Sequence, residues 1–295
     1  MNGAALVAEG LVFGYGKRGR DVLRGLGCEV RSGEIAALVG ANGAGKTTLL
    51  RLMTGLLKPR SGTVRRADGG PLCGNPALGA LVSSPLCWRS LRAGEWLAAF
   101  ARFYPRDCAA RRRELCERLD LDPSAPVERL STGNLQKLHV ARALQHSPDL
   151  VLLDEPTSAL DPASRRVFWS ILGEEAERGA AILVSSHQLD ELEQAVDRAL
   201  LLKEGTIARE VAPRETARPW RLAVDAPEEK VAACLAAFWP RRLDAGARIP
   251  AGAPCVSDWS PDEDRNPILR ALLEAGLPVK SVGPVPLSEL WGREP

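Results

Sequence analysis

The stretch LVGANGAGKTTLL, from Leu38 to Leu50, restricts the folding of this chain more than any other. Its glycines Gly40, Gly43 and Gly45 stand directly before Lys46, Thr47 and Thr48. GEIAALVG, just upstream, is a short apolar run ending in glycine and reads as a strand; KTTLLRLMTGL, downstream, has helical spacing. A strand, a Gly-rich turn and a helix in that order give G-x-x-x-x-G-K-[ST], running from Gly40 through Gly45, Lys46 and Thr47. Glycines let the backbone fold round an anion with successive N–H groups pointing inward, and the following helix offers its own free N–H groups. Gly40, Asn42, Gly43, Gly45, Lys46, Thr47 and Thr48 are therefore the candidate phosphate-binding set. The pattern assigns Lys46 to β- and γ-phosphates and the Thr47 hydroxyl to Mg²⁺. A dinucleotide loop does not fit, because the glycines here run G-x-x-G-x-G and the lysine follows at once. The stretch predicts a site for a nucleoside triphosphate.

Composition sets the limits around that site. With 295 residues, 45% hydrophobic and 26% charged, the chain has the make-up of a protein with a real core, and one large plus one small domain is the natural expectation. The net charge of +2 gives no reason to expect a nucleic-acid partner. Apolar runs such as ALVG at Ala37 and LVLLD at Leu150 are strand-sized, well below the ~18 residues that argue for a membrane span. The N-terminus does not read as a secretory signal. Seven cysteines without a C-x-x-C read as reduced and partly core.

A phosphate loop does not say what the nucleotide is used for. DLVLLDEP, Asp149 to Pro156, is an apolar strand that ends in adjacent acids. Beside a phosphate loop, Asp154 suits Mg²⁺ held through water, and Glu155 suits a general base that polarises attacking water.

LSTGNLQKLHVARAL (Leu130–Leu144), SALD (Ser158–Asp161) and SSHQLDE (Ser185–Glu191) complete a pattern that resembles the nucleotide-binding subunits of ATP-binding-cassette transporters. The order is theirs: aromatic, phosphate loop, signature, paired acids, a further loop and a switch histidine. It covers roughly residues 1–212. The resemblance implies that Tyr15, in FGYGKRG, stacks on adenine, and that Ser131 and Gly133 reach the γ-phosphate held by an opposite subunit. It also implies that His187, after the strand AILVSS, contacts γ-phosphate. His139 and His146 read as surface or packing residues.

The chain departs from that family's pattern at two points. Where the family carries a metal-contacting glutamine, the matching position in LGALVSSP is Ser83, a shorter candidate metal ligand. In the signature, Thr132 and Asn134 stand for a glycine and a glutamine, and Thr132 adds a side chain to a turn expected to be close-packed. Retained, slow hydrolysis is expected.

Between about Ser84 and Leu144 the chain reads as mostly helical. Leu91, Trp96, Phe100 and Phe103 fall near one face as an expected core stripe. RRRELCERL at Arg111 reads as a solvated charged face. RETARPW (Arg214–Trp220) reads as a linker. Beyond it come a strand (RLAVDA), a helix (PEEKVAACLAAF), a second helix (PDEDRNPILRALLEAGL), then a strand running into a short helix (VKSVGPVPLSELWG). This tail resembles the small extension that ends many subunits of the drug and antibiotic exporter branch.

The expected fold is α/β: a P-loop NTPase core with a mostly parallel sheet and flanking helices, an N-terminal antiparallel β portion, an inserted helical subdomain (84–144) and a small C-terminal α+β domain (213–295). The resemblance implies ATP and Mg²⁺ as ligands, a membrane-spanning permease and a second ATP-binding subunit as partners, and a cytoplasmic location on the inner face of the membrane. Its implied function is hydrolysis that drives the permease, with export the favoured direction. The competing functions are a soluble ATPase of the same family acting on ribosomes or DNA, and a regulatory cassette with little hydrolysis. Glu155 argues against the regulatory one, and the single cassette without a heptad run argues against the soluble one.

Overall fold

The computed structural model describes residues 3–16, 19–82, 88, 90–187, 192, 195–212, 220–224, 226–235, 255–259 and 266–284. Its contacts divide the chain into two units, Met1–Arg214 and Glu215–Pro295.

In the first unit, β1 (Ala4–Phe13) and β2 (Leu23–Arg31) precede β3 (Ile35–Val39), α1 (Lys46–Met53), β4 (Ser61–Arg66) and β5 (Leu78–Leu81). Helices α2 (Ala93–Ala101), α3 (Ala109–Arg118) and α4 (Thr132–Leu144) follow, then β6 (Leu150–Asp154), α5 (Pro162–Glu177), β7 (Ala181–Ser186), β8 (Arg198–Lys203) and β9 (Thr206–Val211). The main sheet runs β5-β6-β7-β3-β8-β9. Its β5, β6, β7, β3 and β8 pair in parallel, and β9 closes the edge antiparallel to β8. Strands buried on both faces read as continuous apolar runs. IAALV in β3 and LVLL in β6 are buried throughout, which is why both were legible as strands. The smaller sheet β2-β1-β4 is antiparallel and carries Tyr15 just beyond the end of β1. Between β5 and β6 the described residues form helices and turns, matching the inserted helical segment.

Parallel order explains the site's location. β3, β6 and β7 lie side by side and point the same way, so Val39, Asp154 and Ser186 end at one edge of the sheet. Three separate stretches of sequence meet there. An open α/β sheet places its ligands outside the carboxyl ends of its strands.

Several expectations about the helical segment change. α2 ends at Ala101, so Phe103 falls beyond it and is 70% exposed, while Trp96 is 1% exposed. The stripe is core at one end and surface at the other. The charged face of α3 is not simply solvated: Arg111 pairs with the fully buried Glu175, and Arg118 with Glu174 at 2.5 Å, both on α5. Arg178 also reaches Glu175. These ion pairs fasten α3 to α5. His139 and His146 are buried packing residues, 3% exposed each, and His146 stacks on Tyr104 at 3.7 Å between ring centroids. Burial, with the nearby Arg142 charge, pushes both imidazoles down to about 4, so both are neutral at pH 7. Thr132 is exposed; the crowded position is Gly133, where a Cβ would stand 2.9 Å from the Ala159 carbonyl oxygen.

The cysteines described as free are Cys28, Cys73, Cys108, Cys116 and Cys234, with Cys108 and Cys116 in the core. α5 starts on Asp161, whose carboxylate accepts from the Ala163 and Ser164 N–H groups, and Pro162 opens the helix.

The second unit contains β10 (Trp220–Val224), α6 (Glu228–Leu235), β11 (Cys255–Trp259), α7 (Asn266–Glu274) and β12 (Val279–Pro284). Its antiparallel sheet runs β11-β10-β12 over a small core of Val224, Val231, Leu272 and Leu277. β11 is the strand that the sequence reading lacked, and Trp220, read as linker, opens β10. The short helix read in PLSELWG lies outside the described residues.

Candidate active site

The loop between β3 and α1 is built on glycines that other residues cannot replace. Gly45 sits at φ 111°, where a Cβ would also stand 2.9 Å from Leu23. At Gly40 a Cβ would meet the Leu202 carbonyl oxygen at 2.5 Å. α1 has no side-chain cap and no acid in its first turn. Its first N–H groups are thus open to an anion, with the positive end of the helix dipole behind them.

Lys46, 7% exposed, folds back inside the loop. Its ammonium donates to the Gly40 carbonyl at 2.7 Å, lies 3.5 Å from that of Ala41, and stands 3.6 Å from Glu155 Oε1. Beside it the Thr47 hydroxyl donates to Asp154 Oδ2 at 2.6 Å, joining the start of α1 to the end of β6. Glu155 follows in the left-handed region, φ 46°, which costs an L residue about 1–2 kcal/mol. Its other carboxylate oxygen, Oε2, is 2.8 Å from His187 Nδ1. The Glu155 carboxylate is therefore held between Lys46 on one side and the histidine that follows β7 on the other.

A cavity of about 310 Å³ opens over this cluster, lined by Tyr15, Asn42, Gly43, Gly45, Lys46, Thr47, Thr48 and Glu155, with Val22 and Ala41. Tyr15 is half exposed at its rim. Its ring packs edge-on against Phe13, centroids 5.1 Å apart, and its hydroxyl bonds Thr48 Oγ1 at 3.1 Å.

Most sequence-derived candidates thus converge. Gly40, Asp154 and His187 do not line the cavity but contact Lys46, Thr47 and Glu155, which do. Ser131 and Gly133 do not line it either; they lie at the start of α4, where Ser131 caps the helix by accepting from the Asn134 N–H at 3.2 Å. Ser83 lies outside the described residues.

Two residues escaped the sequence reading. Ser185, fully buried in β7, bonds both the Asp154 carboxylate and the Glu155 N–H. Gln136 on α4 donates to the Pro156 carbonyl at 2.9 Å. The signal for Ser185 was a pair of hydroxyls, Ser185 and Ser186, closing an otherwise apolar buried strand; a lone amide on a helix gives no comparable signal for Gln136.

The arrangement can bind a polyphosphate, orient a hard cation through oxygen donors, and place a carboxylate next to the bound phosphates. The chain is similar to known proteins. A family profile described as ABC transporter matches residues 23–158. An uncharacterized ABC transporter ATP-binding protein of Bacillus subtilis, YdbJ, is 37% identical over 67% of this chain and 66% of its own length, so the match spans about two thirds of that relative. The Nod factor export ATP-binding protein I of Paraburkholderia xenovorans is 34% identical over 72% of each chain. A solved ATP-binding subunit of an ABC transporter superposes with a TM-score of 0.65 at 28% identity, covering 70% of this chain and 90% of that one. The dimeric bacterial ABC transporter cassette MJ0796 gives 0.64 at 23% identity over 72% and 100%, a likeness of fold. The chain belongs to the ABC transporter ATP-binding proteins, a family of nucleotide-binding P-loop ATPases.

Proposed function

We propose that this chain binds ATP with Mg²⁺ on the β3–α1 loop, hydrolyses it, and drives a separate membrane-spanning subunit, working as one of a pair of such cassettes. One observation carries the reading: Lys46, Thr47, Asp154, Glu155 and His187, drawn from three strand ends, form one connected cluster beneath a single cavity.

In this reading Lys46 exchanges its carbonyl partners for β- and γ-phosphate oxygens, and the loop N–H groups cradle the rest. The donor set fits Mg²⁺. Thr47 and Asp154 supply hard oxygens 2.6 Å apart, and among the described residues no cluster of three or more His, Cys, Asp or Glu could cage an ion. Mg²⁺ prefers one or two protein oxygens plus waters and phosphates. The ion would supply charge neutralisation on the transferred group. Glu155 accepts the proton of attacking water, and His187 orients it and turns towards the γ-phosphate. Ser83 is the further candidate metal contact.

The start of α4 supports a paired assembly. Ser131 and Gly133 offer a hydroxyl and a helix N-terminus outside the chain's own cavity, where a second cassette, identical or paralogous, would present its nucleotide. No helix among the described residues is long and apolar enough to cross a membrane. In this reading the membrane path belongs to another polypeptide, with this chain on its cytoplasmic face. Relatives named for Nod factor export and for multidrug transport favour export within the drug and antibiotic branch. Residues 1–212 form the ATP-binding domain in this account, and 213–295 an accessory domain.

The purified chain is expected to hydrolyse ATP slowly and to need Mg²⁺. Purification from detergent-solubilised membranes should bring down a multi-span protein. Recovery of ribosomes or DNA in its place would replace the transport reading, and absence of Mg²⁺-dependent turnover would remove the ATPase reading.

Tyr15 tests which end of the nucleotide meets β1. Tyr15→Ala should weaken ATP binding by about 1–3 kcal/mol, the usual worth of base stacking on an aromatic, and leave inorganic triphosphate binding unchanged. Tyr15→Phe keeps the ring, loses only the Thr48 hydrogen bond, and should stay close to wild type. Equal weakening for ATP and triphosphate in Tyr15→Ala would make the ring a structural prop for α1.

A further inference from the structure

We infer that Ser185 is a positioning residue for both acids of the site: its single hydroxyl fixes the Asp154 carboxylate for the metal and anchors the main chain that carries Glu155. The inference rests on the nucleotide-and-Mg²⁺ reading above.

Ser185 and Asp154 are side-by-side partners on the parallel strands β7 and β6. Ser185 is 0% exposed. Its Oγ lies 2.6 Å from Asp154 Oδ1 and 3.0 Å from the Glu155 backbone nitrogen. The direction of both bonds is settled by chemistry. The Glu155 N–H can only donate, so Oγ accepts there, and the hydroxyl's one proton goes to Asp154.

Each of the two Asp154 oxygens then has its own donor, Ser185 on Oδ1 and Thr47 on Oδ2. A carboxylate bonded at both oxygens cannot spin about its bond to Cβ, so its plane is fixed before any ion arrives. Oδ2 faces Thr47, the other hard ligand of the site.

The same hydroxyl holds Glu155. At φ 46° this residue occupies a conformation that L side chains rarely adopt, and strain of this kind persists where neighbours over-determine the backbone. Here they do. Ser185 takes the Glu155 N–H, while Ser158 Oγ donates to its carbonyl at 3.0 Å and Gln136 to that of Pro156 at 2.9 Å. Ser185 alone of these touches both acids. Partners that orient metal ligands typically change metal affinity or activity 10–100-fold when removed.

The test uses the full chain and equilibrium binding of a fluorescent ATP analogue, first in EDTA and then across a Mg²⁺ titration. Ser185→Ala should bind the analogue as wild type does in EDTA, because Lys46 and the loop N–H groups are untouched. The Mg²⁺ needed for half-maximal response should rise about tenfold or more, and turnover should fall about tenfold or more. Ser185→Thr keeps the hydroxyl on a residue suited to a strand and should restore both. If the added methyl prevents folding, Ser185→Cys, similar in size but a weak donor, is the second variant and should show the Mg²⁺ defect of Ser185→Ala.

A wild-type Mg²⁺ titration in Ser185→Ala overturns the inference. So does equal loss of binding with and without Mg²⁺, which marks a merely structural hydroxyl. A wild-type protein whose nucleotide binding ignores Mg²⁺ overturns the underlying reading instead.

Discussion

Glu155→Gln is expected to reduce ATP turnover by about 10²–10⁴-fold, the usual worth of a general base, with ATP binding retained. The amide keeps the size of the carboxylate and can still accept from His187 Nδ1, which lies 2.8 Å from Glu155 Oε2. It cannot take a proton from water. Binding is expected to hold or tighten, because the change removes an anion 3.6 Å from Lys46, on the wall of the cavity that receives the triphosphate. A protein that binds ATP and does not consume it should accumulate in the ATP-closed form. Size-exclusion chromatography at matched concentration should then show a dimer with ATP and monomer without it. Adding Ser131→Arg should abolish that dimer by placing a bulky cation on the start of α4, outside the lining of the cavity that Lys46 serves. Near-wild-type turnover in Glu155→Gln would remove Glu155 as the base. A monomer that binds ATP, both alone and with its membrane partner, would remove the paired assembly.

What was legible in the sequence was local. The phosphate loop is read from consecutive residues because its function needs glycines next to one another, and the structure places Gly45 at φ 111° against Leu23. β3 and β6 were legible because strands buried on both faces leave long apolar runs. Asp154 and Glu155 were legible as adjacent acids ending an apolar strand, whereas His187 came only from the family's segment order, since the strands that bring the three to Lys46 and Thr47 are far apart in sequence.

The misses share a different cause. A charge run such as RRRELCERL has helical period either way, and nothing in it reveals that Glu174 and Glu175 of α5 wait opposite. Phe103 obeys the apolar period of α2, yet the helix stops at Ala101 and the period ceases to apply. Thr132 looked intrusive because it stands where the family's signature has a glycine. The backbone turns Thr132 to solvent and presses Gly133 against Ala159. Ser185 is the instructive case for the site itself. A polar residue in a buried strand needs a partner, so its presence asked a question, but the answer lay on the neighbouring strand.

Lys46→Ala is expected to weaken ATP binding about 10- to 150-fold, the equivalent of the ~1.5–3 kcal/mol carried by a hydrogen bond to a charged group. Turnover should fall further, by about 10²–10³-fold, because a preorganised donor is worth more to developing charge than to the ground state. Two effects besides the missing contact must be separated from it. The first is packing: Lys46 is 7% exposed and its ammonium ties down the Gly40 carbonyl, so alanine removes a strut of the loop as well as a charge. Lys46→Met keeps much of the aliphatic stem and loses the charge. It should match Lys46→Ala if the ammonium is what binds, and approach wild type if the stem is what matters. The second is repulsion: without Lys46, Glu155 keeps His187 as a neighbour but loses the cation that faces the phosphates. Part of the affinity lost in Lys46→Ala is therefore repulsion between Glu155 and the triphosphate, and the double variant Lys46→Ala, Glu155→Gln should bind ATP more tightly than Lys46→Ala alone. Residues in direct contact are the ones whose effects fail to add. Additive effects on ATP binding in that cycle would separate Lys46 from Glu155 energetically, and wild-type binding and turnover in Lys46→Ala would withdraw the phosphate-loop assignment.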